Sequence, residues 1–247
     1  DYRGGGRSSG RETAARVAAG AIASTFLREL GIRVTAYTRS IGDIEIAPDQ
    51  MDLKEALNNN LCMPDRAAYE RSAAYLQGLI ESRNSAGGVI ECRIDGLPPG
   101  IGETVFDKLD ASLASAILSI GGVKGFEIGD GFGAAKSTGI DNNDGFTCEN
   151  GRIRKTSNHS GGTLGGMSDG SEILFRAAVK PTPSIAMKQE TVNRDGSFRE
   201  LSIKGRHDPL IVPRAVVVVE SMAAIVVADL LLCNMSARMD RIRTFYQ

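Results

Sequence analysis

The apolar stretch from Val212 to Cys233 is the longest in the chain and constrains the fold more than any other segment. Arg214, Glu220 and Asp229 interrupt it, and three ionisable groups would be costly in a lipid span. We read it as a buried helix from about Pro213 to Asn234, with the proline in the first turn, where its missing N–H is not needed. A helix apolar on most of its circumference needs protein around it. A chain of 247 residues, 42% hydrophobic, is long enough to supply that core.

The segments before this helix alternate between helical and strand periods. Gly10 to Leu30 reads as a helix that presents Ala15, Ala18, Ile22, Phe26 and Leu30 to the core and is stopped by Gly31. Ile32 to Ser40 alternates as a half-buried strand, with Ile32, Val34, Ala36 and Thr38 on one side. Ala47 to Pro64 is polar and reads as a surface excursion holding one short helix, Met51 to Leu57. Asp65 caps a helix over Arg66 to Arg83, with a stripe of Tyr69, Ala73, Leu76 and Ile80. A strand over Val89 to Asp95, a turn at Pro98-Pro99-Gly100, a helix from Val105 to Ile120 through Leu109, Leu113 and Ile117, and a strand over Val123 to Ile128 follow. Gly129 to Gly170 has little periodicity and reads as long functional or mobile loops. Ser171 to Lys180 is a strand, and Ile185 to Thr191 pairs with Ser197 to Ile203 across a turn. Successive strands are linked too briefly for parallel crossovers. The expected class is therefore mixed α/β (α+β), with antiparallel sheets and helices in one pseudo-symmetric domain over residues 1–247.

A net charge of −1 gives no global field for nucleic acid, so any anion site must be local. The expected partners include neither nucleic acid nor membrane. Cys62, Cys92, Cys148 and Cys233 have no CxxC spacing, which points to neither zinc nor a disulfide framework and fits a reducing, cytoplasmic compartment. His159 and His207 are the only histidines and do not make a metal pair.

The chain opens on Asp1-Tyr2-Arg3-Gly4-Gly5-Gly6-Arg7-Ser8-Ser9-Gly10-Arg11-Glu12-Thr13. Its glycines allow close backbone approach, and Ser9 followed by Glu12 has capping-box spacing at a helix start. Arg3, Arg7 and Arg11 add fixed charge, so this is a candidate phosphate site; a plain capped helix is the alternative. GxGxxG and GxxxxGK[ST] are both absent. Ser157 to Gly170 is a second glycine-rich block, read as a backbone platform for a flat ring or phosphate, or as a flexible hairpin. Lys180-Pro181-Thr182-Pro183-Ser184 is a stiffened loop, and Gly205-Arg206-His207-Asp208-Pro209 puts a cation, an imidazole and a carboxylate in one turn.

Taken in order, DYRGGGRSS, SIGGVKGFEIGDGF, SNHSGGTLGGMSDG, KPTPS and GRHDP followed by PRAVVVVESM resemble the chorismate synthase family almost end to end. The resemblance implies a tetrameric, flavin-binding β-α-β sandwich. It also implies a lyase that converts 5-enolpyruvylshikimate 3-phosphate into chorismate and phosphate with reduced FMN, in the shikimate pathway that feeds aromatic amino acid synthesis. By motif it assigns FMN contacts to Arg7, Ser8, Ser9, Gly121, Gly122, Gly165, Lys180, Pro181, Thr182, Pro183, Ser184 and Arg206, and the catalytic carboxylate to Asp208. Gly121-Gly122 stands where the family often has Asn-Ala, which leaves only backbone contacts there. NADPH enters only if the enzyme reduces its own flavin. The family's amino-terminal portion has no counterpart, including its GxSHG-type segment, further arginines for the substrate phosphate and two histidines thought to act as acids. The chain is therefore expected to be an incomplete polypeptide of impaired activity, and a non-catalytic flavin- or phosphate-binding fragment is the alternative. A different flavin oxidoreductase is a third class.

Overall fold

The computed structural model describes residues 5–149, 151–203, 205 and 208–247. In chain order these form α1 (Thr13–Glu29), β1 (Arg33–Ile41), β2 (Ile44–Glu45), α2 (Leu53–Asn58), α3 (Arg66–Glu81), β3 (Gly88–Asp95), α4 (Leu109–Leu118), β4 (Val123–Ile128), α5 (Gly139–Asn142), β5 (Phe146–Glu149), β6 (Arg152–Lys155), β7 (Thr163–Leu164), β8 (Met167–Ser168), β9 (Ile173–Val179), β10 (Gln189–Val192), β11 (Phe198–Leu201), α6 (Val212–Met235) and α7 (Met239–Tyr246). Five strands share one sheet in the order β2-β1-β3-β9-β4, and β5-β6, β7-β8 and β10-β11 are separate antiparallel pairs. The mixed α/β class expected from the sequence is the one observed.

The contacts divide the chain into two compact units. One comprises Asp1–Ala36, Glu91–Ala177 and Val217–Gln247, and the other Tyr37–Ile90 and Ala178–Val216. In the first, α4 buries Leu109, Leu113 and Ile117, as the sequence predicts, while β9 contributes Ile173, Phe175 and Ala177. Helix α6 is long and apolar enough to cross a membrane, yet it buries Val219, Ala223, Ala224 and Val227 in this core.

In the first unit α1 departs from expectation. Ala15, Ala18, Ile22, Phe26 and Leu30 are exposed, Ile22 by 75%, and the buried positions are Gly20 and Leu27. Gly20 packs so closely on α6 that a Cβ there would overlap Ser221. Close backbone approach through small residues has chosen this face over the one richest in apolar side chains. The end of α1 is as predicted: Gly31 takes φ +75°, Ile32 N donates to Leu27 O at 3.0 Å and Gly31 N to Arg28 O at 3.0 Å, the Schellman pattern.

In the second unit Asp65 caps α3 through Ala68 N at 3.0 Å and also accepts from Ala47 N at 3.0 Å. Its carboxyl lies below the ordinary range: burial opposes ionisation, but the N–H groups of Ala47 and Ala68 outweigh it. The buried stripe of α3 is Ala68, Ser72 and Leu79, one residue from the predicted one, and Ile80 is exposed. The segment over Ala47 to Pro64 is more than a surface excursion. Leu61 and Met63 are buried, and Asn59 pins the turn by donating to Glu55 O and Met63 O and accepting from Leu61 N and Met63 N. Tyr37, expected on the outer face of β1, is fully buried.

Candidate functional site

The arginine- and serine-rich segment is a pair of tight turns. Gly5 at φ +75° starts a 3-10 turn over Gly6–Ser8, and Ser9 is extended before a second over Gly10–Glu12. The expected capping box does not form. Ser9 Oγ accepts from Arg11 N at 3.4 Å, and Glu12 turns away to pair with Arg16 at 2.9 Å, so α1 begins at Thr13. Arg7, Ser8 and Arg11 are exposed, and among the described residues neither arginine has an acidic partner. This leaves two arginine forks and a hydroxyl available to an anion.

At the far end of α4, Val123 N donates to Ile120 O at 3.1 Å, making a turn with Gly121 and Gly122 at its centre. Gly122 has φ +95°, which glycine adopts without strain. A Cβ on Gly121 would meet nothing within 4 Å. Arg16 joins this turn to the arginine–serine segment: its guanidinium bonds Glu12 on one side and Ser119 on the other. Gly165 lies elsewhere, in the β7-β8 turn, where neighbouring Gly166 O accepts from Leu109 N, the first residue of α4, at 2.8 Å. The ten residues of α4 therefore separate Gly165 from Gly121-Gly122, by about 15 Å at 1.5 Å rise per residue.

In the second unit, Lys180 to Ser184 follow β9 directly, with Lys180 exposed. Thr182 Oγ1 is buried without a hydrogen-bond partner, as expected of a hydroxyl kept for a ligand. Ser85 Oγ donates to Thr182 O at 2.7 Å, and next to it Ala86 N donates to Pro209 O at 2.9 Å. The segment before β3 thus ties the lysine–proline loop to the turn carrying Asp208. Asp208 is half-exposed, pairs with Arg214 of α6 at 2.6 Å, and lines a cavity of about 160 Å³ with Asn84, Ile185 and Ala186. Arg3, Arg206 and His207 lie outside the described residues.

The region over Gly129 to Gly170 holds what sequence reading missed. Instead of mobile loops there are two hairpins around an ion cluster in which the side chains of Lys155, Asp144 and Asp169 are only 4%, 5% and 6% exposed. Lys155 Nζ lies 3.1 Å from Asp144 and 2.5 Å from Asp169. Asp144 also accepts from the hydroxyls of Ser157 and Ser160 and from the N–H groups of His159 and Ser160. Burial opposes its ionisation, but these donors hold its carboxyl well below the usual range. Asp169 is likewise lowered: burial works against it, and Lys155 and Ser171 outweigh it. His159 Nδ1 meets Asp130 at 2.7 Å. A cavity of about 1170 Å³ beside the β5-β6 hairpin contains none of the residues assigned to flavin. Asp144 and Lys155 of the ion cluster are brought together by the pairing of β5 with β6, which the spacing of the charges does not announce.

With this geometry in view, comparison with known proteins decides the family. The family model for chorismate synthase matches residues 1–232. The chain belongs to the chorismate synthase family. It is 63% identical over 247 residues to a chorismate synthase of Agathobacter rectalis, covering all of this chain and 67% of that protein. It is 48% identical over 235 residues to one of Archaeoglobus fulgidus, covering 94% and 65%. A crystal structure of chorismate synthase superposes with a TM-score of 0.78 at 32% identity, over 96% of this chain and 68% of that one. The chain thus spans about two thirds of the length of these relatives. The family named by the sequence motifs is the one found, and chorismate synthase function, that of a lyase, is what these relationships support over a non-catalytic fragment. Flavin dependence in general comes with the family.

Proposed function

We propose that the chain eliminates phosphate from 5-enolpyruvylshikimate 3-phosphate by a 1,4-elimination that gives chorismate, with reduced FMN as cofactor. The observation that carries this is the ordered set of family motifs along the whole chain, with the Asp208 turn tied to the Lys180–Ser184 loop through Ser85 and Ala86. The residues present fit a flavin phosphate and ring. In the first unit Arg7 and Arg11 have no acidic partner among the described residues and the space beside Gly121 is open; in the second, taken by itself, Thr182 holds an orphaned hydroxyl. In this reading Arg7, Ser8, Ser9, Gly121, Gly122, Gly165, Lys180 to Ser184 and Arg206 hold the cofactor. When bound, reduced flavin supplies electron density transiently, without net redox change.

The chemistry left to the chain is binding, charge stabilisation and proton transfer. In the substrate the allylic carbon–oxygen bond to phosphate breaks, a ring hydrogen leaves, and a conjugated diene forms. Negative charge grows on the departing phosphate, and an arginine fork is the group suited to stabilise it there. Asp208, oriented by Arg214, is the carboxylate that takes part in moving the ring proton. The whole chain, residues 1–247, works as one domain of this type. Homotetramer assembly, a cytoplasmic location, and NADPH as reductant where the enzyme reduces its own flavin belong to the same proposal. The test is Asp208→Ala: FMN affinity is retained and phosphate release falls by about 100-fold or more, the usual weight of a general acid–base group. Full phosphate release by that variant would remove Asp208 from the chemistry.

A further inference from the structure

We propose that Arg16 is a positioning residue for the flavin site, a brace that sets the Arg7-Ser8-Ser9 turn against the Gly121-Gly122 turn. The inference rests on reading those two turns as flavin contacts. Arg16 is not among the residues assigned to flavin, and its surroundings differ from those of Arg7 and Arg11. Its Nε donates to Glu12 Oε2 at 2.9 Å, its Nη1 to Ser119 Oγ at 2.6 Å and, more weakly, to Met222 Sδ at 3.9 Å, and its Nη2 to Ser119 O at 3.4 Å. The guanidinium is therefore engaged on every side rather than offered to a ligand.

Both anchors sit next to a proposed contact. Glu12 closes the 3-10 turn that begins immediately after Ser9, and Ser119 is the carboxy-terminal cap of α4, two residues before Gly121. Ser119 is itself fixed, since its hydroxyl donates to Ala116 O at 2.6 Å. A cation over exposed carbonyls at a helix carboxy terminus is favourable in its own right. The planar fork then transmits that placement to the turn after Ser9, using several directed N–H groups at once. A lysine has one compact charge on a flexible stem and cannot hold Glu12 and both oxygens of Ser119 in one plane. Arg16 thus acts through the two turns, without touching the ligand.

The test is an FMN titration of the chain carrying Arg16→Ala, Arg16→Lys or Ser119→Ala, alongside Arg7→Ala, Ser9→Ala and the double variant Arg16→Ala/Arg7→Ala. Loss of the brace weakens FMN binding by about tenfold in both Arg16 variants, the lower end of what supporting partners contribute to a bound group. Ser119→Ala weakens it in the same direction by less. Because Arg16 works through the motif, its effect shrinks once Arg7 is gone, giving a non-additive cycle. Wild-type affinity in Arg16→Lys, or full additivity in the double variant, overturns the brace. If Arg7→Ala and Ser9→Ala bind FMN as the parent does, the flavin reading fails and the brace falls with it. That outcome differs visibly from one in which those two weaken binding and Arg16→Ala does not. Should Arg16→Ala fail to fold, Ser119→Ala decides: unchanged affinity there counts against the proposal.

Discussion

Single glycines and carboxylates set the sharpest expectations at the residue scale. Gly121 faces open space and Gly122 sits at φ +95°, so the two are not equivalent. Gly121→Asn is expected to fold normally and to tighten FMN binding by about fivefold, the value of one net hydrogen bond. Gly122→Ala is expected to weaken it, because a Cβ there strains the turn by about 1 kcal/mol. Fluorescence titration of both variants checks the pair. Asp144 carries a different expectation. Its carboxyl is depressed in the folded chain, so it adds stability above the ordinary carboxylate pKa, and that stability is lost as pH falls through the folded value. Asp144→Asn should therefore cost about 3 kcal/mol at pH 7, as expected on breaking a buried ion pair. The gap to the parent should narrow steadily below about pH 4. Denaturant melts at pH 7 and pH 3 measure both; a gap independent of pH would exclude the ionised network as its source.

Among the elements, α1 and α3 teach the same lesson. Each was legible as a helix to within a few residues, and each turned out to bury a neighbouring face. Gly20 in α1 and Ser72 in α3 are the contact points, and neither counts as apolar in a periodicity reading. Gly20→Ala should therefore destabilise the chain by about 1–3 kcal/mol through overpacking against Ser221, although alanine is the better helix former. A raised melting temperature in that variant would show that α1 and α6 can separate without cost. β4, β9 and α6 were read nearly as they stand, because their apolar runs are long or alternate cleanly, while α4 keeps its predicted buried face but starts at Leu109 rather than at Val105, which is exposed. Short α7 was not foreseen: it is an exposed helix with no buried side chain to mark it. Gly129 to Gly170 was illegible for the opposite reason. Its order comes from Asp144, Lys155 and Asp169, three charges gathered by the β5-β6 and β7-β8 hairpins, whereas sequence reading assigns charges to solvent.

Across the whole molecule, the family was legible because its motifs are short, ordered and spread over almost all of the chain. The same motifs name the site residues proposed above, whereas the hydrogen bonds that set those segments against one another are tertiary and have no signature in the sequence. The Asp208 turn and the Lys180–Ser184 loop are tied together through Ser85 and Ala86, and Arg16 joins the Arg7–Ser9 turn to Gly121-Gly122. Gly165 is held a helix length away from that pair. The central claim is a phosphate elimination that depends on reduced flavin and on Asp208. The most direct measurement is inorganic phosphate release from 5-enolpyruvylshikimate 3-phosphate under anaerobic conditions, with FMN supplied either oxidised or chemically reduced. The account predicts that release by the chain, whatever its absolute rate, occurs with reduced FMN, is absent with oxidised FMN, and is largely lost in Asp208→Ala. Release indifferent to the oxidation state of the flavin, or undiminished without the Asp208 carboxylate, would contradict it.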